Sequence, residues 1–154
     1  WLKQNHKSTR NFIRKWGHFV KHDEFLKPII PPKYDIGFVV KNCPSSLLRE
    51  MEPWCSTIYT DWGPKSYIEY EQENTLFDLK ERVKLRGSKI PDNDIIVEFD
   101  ANDFEMKHMN MISQLSEILS NDEELEKGSF ELDIFKVTIN KLKTYEKELI
   151  KCSR

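Results

Sequence analysis

The chain has 154 residues, 38% of them hydrophobic and 32% charged, with a formal net charge of −2. That length supports one real hydrophobic core, and no apolar run approaches the roughly 20 residues needed to span a bilayer. The start, Trp1-Leu2-Lys3-Gln4-Asn5, has neither an initiator Met nor the apolar stretch of a secretory signal. A piece of a longer protein is therefore one expectation. Cys43, Cys55 and Cys152 are odd in number and lack CxxC spacing. Reduced thiols in a cytoplasmic protein are expected, rather than a disulfide framework or a zinc site.

Charge is distributed unevenly. Residues 1–33 hold eight Lys/Arg against two acids, and the remainder holds sixteen against twenty-four. A basic arm thus precedes an acidic body. Trp1, Phe12, Trp16 and Phe19 lie within the arm, a mixture that nucleic-acid binders use. Packing on the acidic body, on a further domain or on a second subunit is the favoured expectation. Residues 8–26 read as one or two short helices interrupted at Gly17. Pro28, Pro31 and Pro32 then exclude a helix and mark a boundary, with an α/β domain over 34–154.

Ile36-Gly37-Phe38-Val39-Val40 is a continuous apolar run, as in a strand buried on both faces. Pro44 suits a first helical residue, Leu47, Leu48 and Met51 have helical spacing, and Pro53 ends that helix. Thr57-Ile58-Tyr59-Thr60 reads as a second strand. Gly63-Pro64 marks a turn. Thr75 with Asp78 suggests a cap for a helix reaching Leu85, stopped by Gly87. Asp94 to Phe99 is the third strand. Asn102 with Glu105 suggests the cap of a helix whose core stripe is Phe104, Met111, Ile112, Leu115 and Leu119. Phe130 to Ile134 alternates as a half-exposed strand, and Lys141 to Lys151 closes the chain as a charged helix. Strands alternating with helices imply a three-layer α/β fold, a mainly parallel sheet with helices on both faces.

Ligands of open parallel sheets bind beyond the strand carboxyl ends. The three strands end at Lys41-Asn42, at Asp61 and at Asp100, the last followed by Asn102 and Asp103. These hard oxygen groups suit a base, a ribose hydroxyl and Mg²⁺ or Mn²⁺. Singly, each reads as a turn or cap residue. No Gly-rich phosphate loop follows the first strand, which argues against a dinucleotide-binding Rossmann domain and against a P-loop.

Four pieces in order, Phe38-Val39-Val40-Lys41-Asn42, Ile58-Tyr59-Thr60-Asp61, Tyr70-Glu71-Gln72-Glu73-Asn74 and Ile96-Val97-Glu98-Phe99-Asp100-Ala101-Asn102-Asp103, give the chain a family likeness. From Asp35 to Leu119 it resembles the start of a family-two glycosyltransferase of GT-A fold, a Rossmann-like architecture. The resemblance implies a nucleotide-sugar donor, UDP- or GDP-linked, and a carbohydrate acceptor. It implies nucleotide contacts at Asn42, Asp61 and Asn74, with Asp61 on the base. It implies Mn²⁺ or Mg²⁺ and the diphosphate at Asp100, Asn102 and Asp103. Asn102 stands where the family has Asp, which lowers metal affinity. Trp62 replaces a second acid, and Thr75 a Gly. Only fifty-one residues follow Asp103, with no counterpart of the family's catalytic base. A fragment or an inactive copy that binds without catalysing fits these departures. Asn11-Phe12-Ile13-Arg14-Lys15-Trp16-Gly17 is also similar to a segment near the end of some GT-A domains.

Competing readings are weaker. Asp100 as a phosphatase nucleophile of haloacid-dehalogenase type lacks the second Asp that such enzymes place two residues on. His18 and His22 have helical metal spacing but no third ligand. No His spacing supports a Cys43 or Cys55 nucleophile. Outside enzymes, a non-catalytic α/β binding or structural module of a larger protein remains the alternative.

Overall fold

The computed structural model describes residues 2–17, 21–22, 24–25, 28–29, 33–61, 64–87, 89–121 and 127–141. The His18 and His22 side chains, Phe19, Cys152 and the closing helix beyond Lys141 lie outside them.

Helix α1 spans Leu2–Trp16 and stops at Gly17, whose φ of +80° favours glycine. The Gly17 N–H donates to the Ile13 carbonyl at 2.7 Å, and the Lys33 ammonium donates to the carbonyls of Arg14 and Lys15. These bonds take up acceptors that a helix C-terminus leaves open. A two-stranded antiparallel pair follows, β1 (Lys21–His22) and β2 (Pro28–Ile29), in place of a second short helix.

The main sheet has six strands. They are β3 (Ile36–Lys41), β4 (Thr57–Thr60), β5 (Val83–Leu85), β6 (Ile95–Asp100), β7 (Gly128–Leu132) and β8 (Phe135–Ile139), in the spatial order β5-β4-β3-β6-β8-β7. The first four are parallel; β8 pairs antiparallel with both β6 and β7. Helices α2 (Ser45–Met51), α3 (Pro64–Glu71), α4 (Leu79–Arg82), α5 (Met106–Ser113) and α6 (Leu115–Asn121) complete the described residues. The fold is therefore α/β with a mixed, mainly parallel sheet. No helix among the described residues is long and apolar enough to cross a membrane.

Alternation along the strands sorts the side chains. Phe38, Val40, Ile58, Val97, Phe99 and Val137 point to one face and are almost fully buried. Each such side chain contributes about 1.5–3 kcal/mol on burial. Ile13 of α1, Leu48 of α2, Tyr67 of α3, Leu79 of α4, Ile112 of α5 and Leu119 of α6 all join that same cluster. The opposite face presents Val39, Ile96, Glu98, Lys136 and Thr138, half-buried or exposed. Arg86, Gly87, Lys89, Ile90 and Pro91 lie along part of it, bounding a groove of about 470 Å³ with Val39, Tyr59 and Glu98. The expectation of helices on both faces is thus met on one face among the described residues.

Several local expectations are corrected. Asp78 does cap a helix, accepting from the Lys80 N–H at 3.1 Å, but that helix is only Leu79–Arg82. Thr75 instead accepts from the Phe77 N–H, and Leu76 is fully exposed. Val83–Leu85 leaves the helix to pair with β4, because parallel ladder bonds there outweigh one more turn. Pro64 opens α3 rather than only a turn. The 104–119 stripe is core as expected, yet it breaks at Gln114 into α5 and α6. Glu105, not Asn102, precedes α5. The strand expected over 130–134 is one arm of a hairpin closed at Asp133-Ile134.

Helix α1 is held by a buried ionic cluster. Arg14, 1% exposed, reaches Glu52, 0% exposed, in the 3₁₀ turn Glu52–Trp54 that follows α2. Arg82 of α4 meets the same carboxylate at 3.0 Å. Arg10 pairs with Glu71 of α3, and the Tyr67 hydroxyl donates to Glu52 at 2.9 Å. Burial opposes charge on Glu52, but the Arg14 hydrogen bonds and the Arg82 charge outweigh it and hold its carboxyl below the usual range. Glu71 is likewise lowered against its burial, by Asn74 and Arg10. Arg14 stays charged because Glu52 outweighs its desolvation. Helix α1 of the arm packs on the body through Ile13 and Arg14, while Phe12 and Trp16, expected with Phe19 as the anchors, are half-buried and Phe19 lies outside the described residues.

Candidate functional site

The order β5-β4-β3-β6 places a topological switch between β3 and β6. From β3 the chain winds outward through β4 to β5, then returns to β6 on the other side of β3. Such switches open a crevice at the strand carboxyl ends. Register sets Val40 beside Thr60 and Lys41 beside Asp100, so these three strands end on one rim.

Asn42 turns the chain immediately after β3 with φ +56°, a left-handed conformation that Asn tolerates better than most side chains. From there it serves both neighbours. Its backbone N–H donates to Asp61 Oδ2 at 3.0 Å, and its side-chain Nδ2 donates to Asp100 Oδ1 at 3.2 Å and Oδ2 at 3.3 Å. Asp100 Oδ1 also accepts from the Asn102 N–H at 2.9 Å, which closes the 3₁₀ turn Ala101–Asp103. These two donors, the Asn102 amide first, hold the Asp100 carboxyl below its usual range. Asp61 Oδ2 pairs in addition with Arg86 Nη1 at 3.3 Å. Asp61 Oδ1 is buried without a donor among the described residues. Cys43 lies just behind; burial, and then the Asp61 charge, push its thiol up to about 12, which excludes an active thiolate at neutral pH. Burial raises the Cys55 thiol as well.

The sequence-derived candidates therefore divide. Asn42, Asp61 and Asp100 form one hydrogen-bonded unit, and Asn102 joins it through its backbone. Asp103 is exposed at the end of the same turn. Asn74 is elsewhere: its amide donates to Glu71 Oε1 at 2.7 Å and its carbonyl accepts from Asn11, both beside α1. Arg86 was not singled out from sequence. Its position one residue past β5 gives it away only once that strand is known.

The unit does not fit a preformed divalent-cation centre. Both Asp100 oxygens face N–H donors, and Asp61 Oδ2 faces one N–H and a guanidinium. No three acid, His or Cys side chains converge as metal ligands among the described residues.

A second polar pair lies at the sheet's other end of the chain order. The Glu105 N–H donates to His108 Nδ1 at 2.8 Å, which leaves Nε2–H to donate to Asp133 Oδ1 at 3.1 Å. His108 is 1% exposed, and this bond holds the Asp133 carboxyl below its usual range. With both ring nitrogens engaged, the pair fastens the start of α5 to the β7–β8 turn.

Compared with protein-family models, with curated proteins and with solved structures, the chain gives no match.

Proposed function

We propose that the rim formed by Asn42, Asp61 and Asp100 binds the nucleotide part of a UDP- or GDP-linked sugar, in a GT-A-like module of the glycosyltransferase type. One observation carries this reading: a single residue, Asn42, ties two strand-end carboxylates together across the switch point. Asp61 Oδ1 has no donor among the described residues, and an N–H or O–H of a base or ribose is the kind of donor it would accept. Lys41 beside Asp100 and Arg86 beside Asp61 supply positive charge for a diphosphate. Because N–H groups already occupy the Asp100 oxygens, the nucleotide is held mainly by protein groups, and Mn²⁺ or Mg²⁺ adds little. Calorimetric titration with UDP and GDP, each with and without Mn²⁺, tests this. Saturable binding that survives without Mn²⁺ supports the reading; no binding of either nucleotide sinks it.

A non-catalytic binding or structural module is the second reading. It is favoured by the internal pairing of Asp61 with Arg86 and of Asp100 with Asn42, which leaves both carboxylates stable without a ligand. Absence of sugar transfer by a protein that still binds UDP distinguishes this module from an active transferase.

A further inference from the structure

A groove of about 340 Å³ opens between α1, α2 and the end of α3, away from the strand-end rim. His6, Lys7 and Arg10 line it from α1, Arg49 from α2, and Glu71 and Asn74 from the far side. It adjoins a second depression of about 390 Å³ that shares His6, Arg10 and Arg49, and whose lining also includes Glu50.

Charge in and beneath the groove does not balance. The buried cluster sets three guanidiniums, Arg10, Arg14 and Arg82, against two carboxylates, Glu52 and Glu71. Burial and the Glu52 charge keep the Tyr67 hydroxyl protonated, so it offers no compensation. Among the described residues one positive charge is in excess. A buried charge is costly unless it is paired. Arg82 turns its remaining donors inward, to the carbonyls of Glu52 and Cys55. Arg10 is the outermost member, with its side chain 15% exposed, and its Nη1 donates to the Arg49 carbonyl at 2.6 Å. The excess therefore reaches the surface where Lys7 and the Arg49 guanidinium stand, and neither of these meets a carboxylate among the described residues.

We propose that this groove is an anion site for a phosphate group, with Lys7 and Arg49 as its donors and Arg10 as the fixed charge behind them. His6 on the rim adds a ring N–H. A groove of about 340 Å³ admits a free phosphate and leaves room for the organic part of a small monoester. Bound there, the anion balances the odd guanidinium and fastens α1 to α2.

The test is a titration of the full chain with inorganic phosphate at constant ionic strength, read by calorimetry and by backbone amide shifts. Saturation at one site is expected, with the largest shifts at residues 6, 7, 10 and 49. Lys7→Gln and Arg49→Gln should each weaken binding about tenfold, the loss of one charge-assisted hydrogen bond. Both side chains lie at the surface, so the variants should keep the wild-type circular dichroism and melting temperature without phosphate. Lys107→Gln, on the exposed side of α5, should bind as the wild type does. Glycerol phosphate that binds tighter than inorganic phosphate assigns the site to an organic ligand, and equal affinity assigns it to the free ion. Absence of saturation, or equal weakening by Lys107→Gln, overturns the proposal.

Discussion

Asn42 Nδ2 lies 3.2 Å from Asp100 Oδ1, although the two residues are 58 positions apart in sequence. The bond spans the gap between two parallel strands at the point where the sheet reverses its order. Asn42→Gly isolates it. Glycine accepts φ +56° without strain and keeps the backbone N–H to Asp61, while the amide contact is lost. Stability should change by less than about 1 kcal/mol in urea unfolding. UDP affinity should fall about tenfold, because the Asn42 amide no longer holds the Asp100 carboxylate in place at the rim. Unchanged affinity would show that the bridge is only structural.

Glu52 is the common acceptor of Arg14, Arg82 and Tyr67 in the interior. Glu52→Gln should lower the unfolding free energy by about 3–5 kcal/mol, because it leaves buried guanidiniums uncompensated. A urea midpoint near that of the wild type would contradict the buried cluster.

The same glutamates set an acid limit. Both Glu52 and Glu71 have folded-state pKa values below their ordinary 4.5. A depressed carboxyl stabilises the fold above the unfolded value, and that stabilisation is lost as pH falls below it. The melting temperature should therefore hold steady down to about pH 5 and drop below about pH 4.5. A flat profile to pH 3 would count against the cluster.

Cys43 and Cys55 are 1% and 5% exposed, with thiols pushed well above their usual value by burial. In a Cys152→Ser background, a thiol reagent at pH 8 should label the native protein slowly and both remaining cysteines quickly after unfolding. Fast native labelling of Cys43 would remove it from behind the site.

Gly37 is fixed by its neighbour. A Cβ there would meet Asn93 Oδ1 at 2.2 Å, while the Asn93 amide is tied to Asp35 at 2.7 Å. Gly37→Ala should cost about 1–3 kcal/mol by overpacking. Near-neutral stability would mean that Asn93 can move aside.

The strands that carry the site were legible in the sequence because each is an apolar run ending in a polar residue. Ile36–Lys41 and Thr57–Thr60 lie within a residue of their expected limits, as does Ile95–Asp100. Val83–Leu85 was not, since Leu79 and Val83 also satisfy helical spacing and only pairing with β4 decides between them. The β7–β8 hairpin was half-read: its turn is Asp133-Ile134, with Asp133 at φ +56° and no glycine to announce it. Nor was the Arg14–Glu52 contact legible. The residues are 38 positions apart, and a charge on an amphipathic helix reads as solvated until the fold buries it. Asn74 drew attention by its place in the family-like pattern, yet the 3₁₀ turn Gln72–Asn74 aims it at Glu71.

Backbone amide shifts under titration with UDP test the central claim most directly, because they locate the ligand as well as detect it. The largest changes are expected at Asn42, Asp61 and Asn102, whose amide N–H groups or carboxylates make up the strand-end unit, and they should vanish in Asp100→Ala. No saturable change, or changes centred on residues 6, 7 and 49 beside α1, would contradict nucleotide binding at the rim.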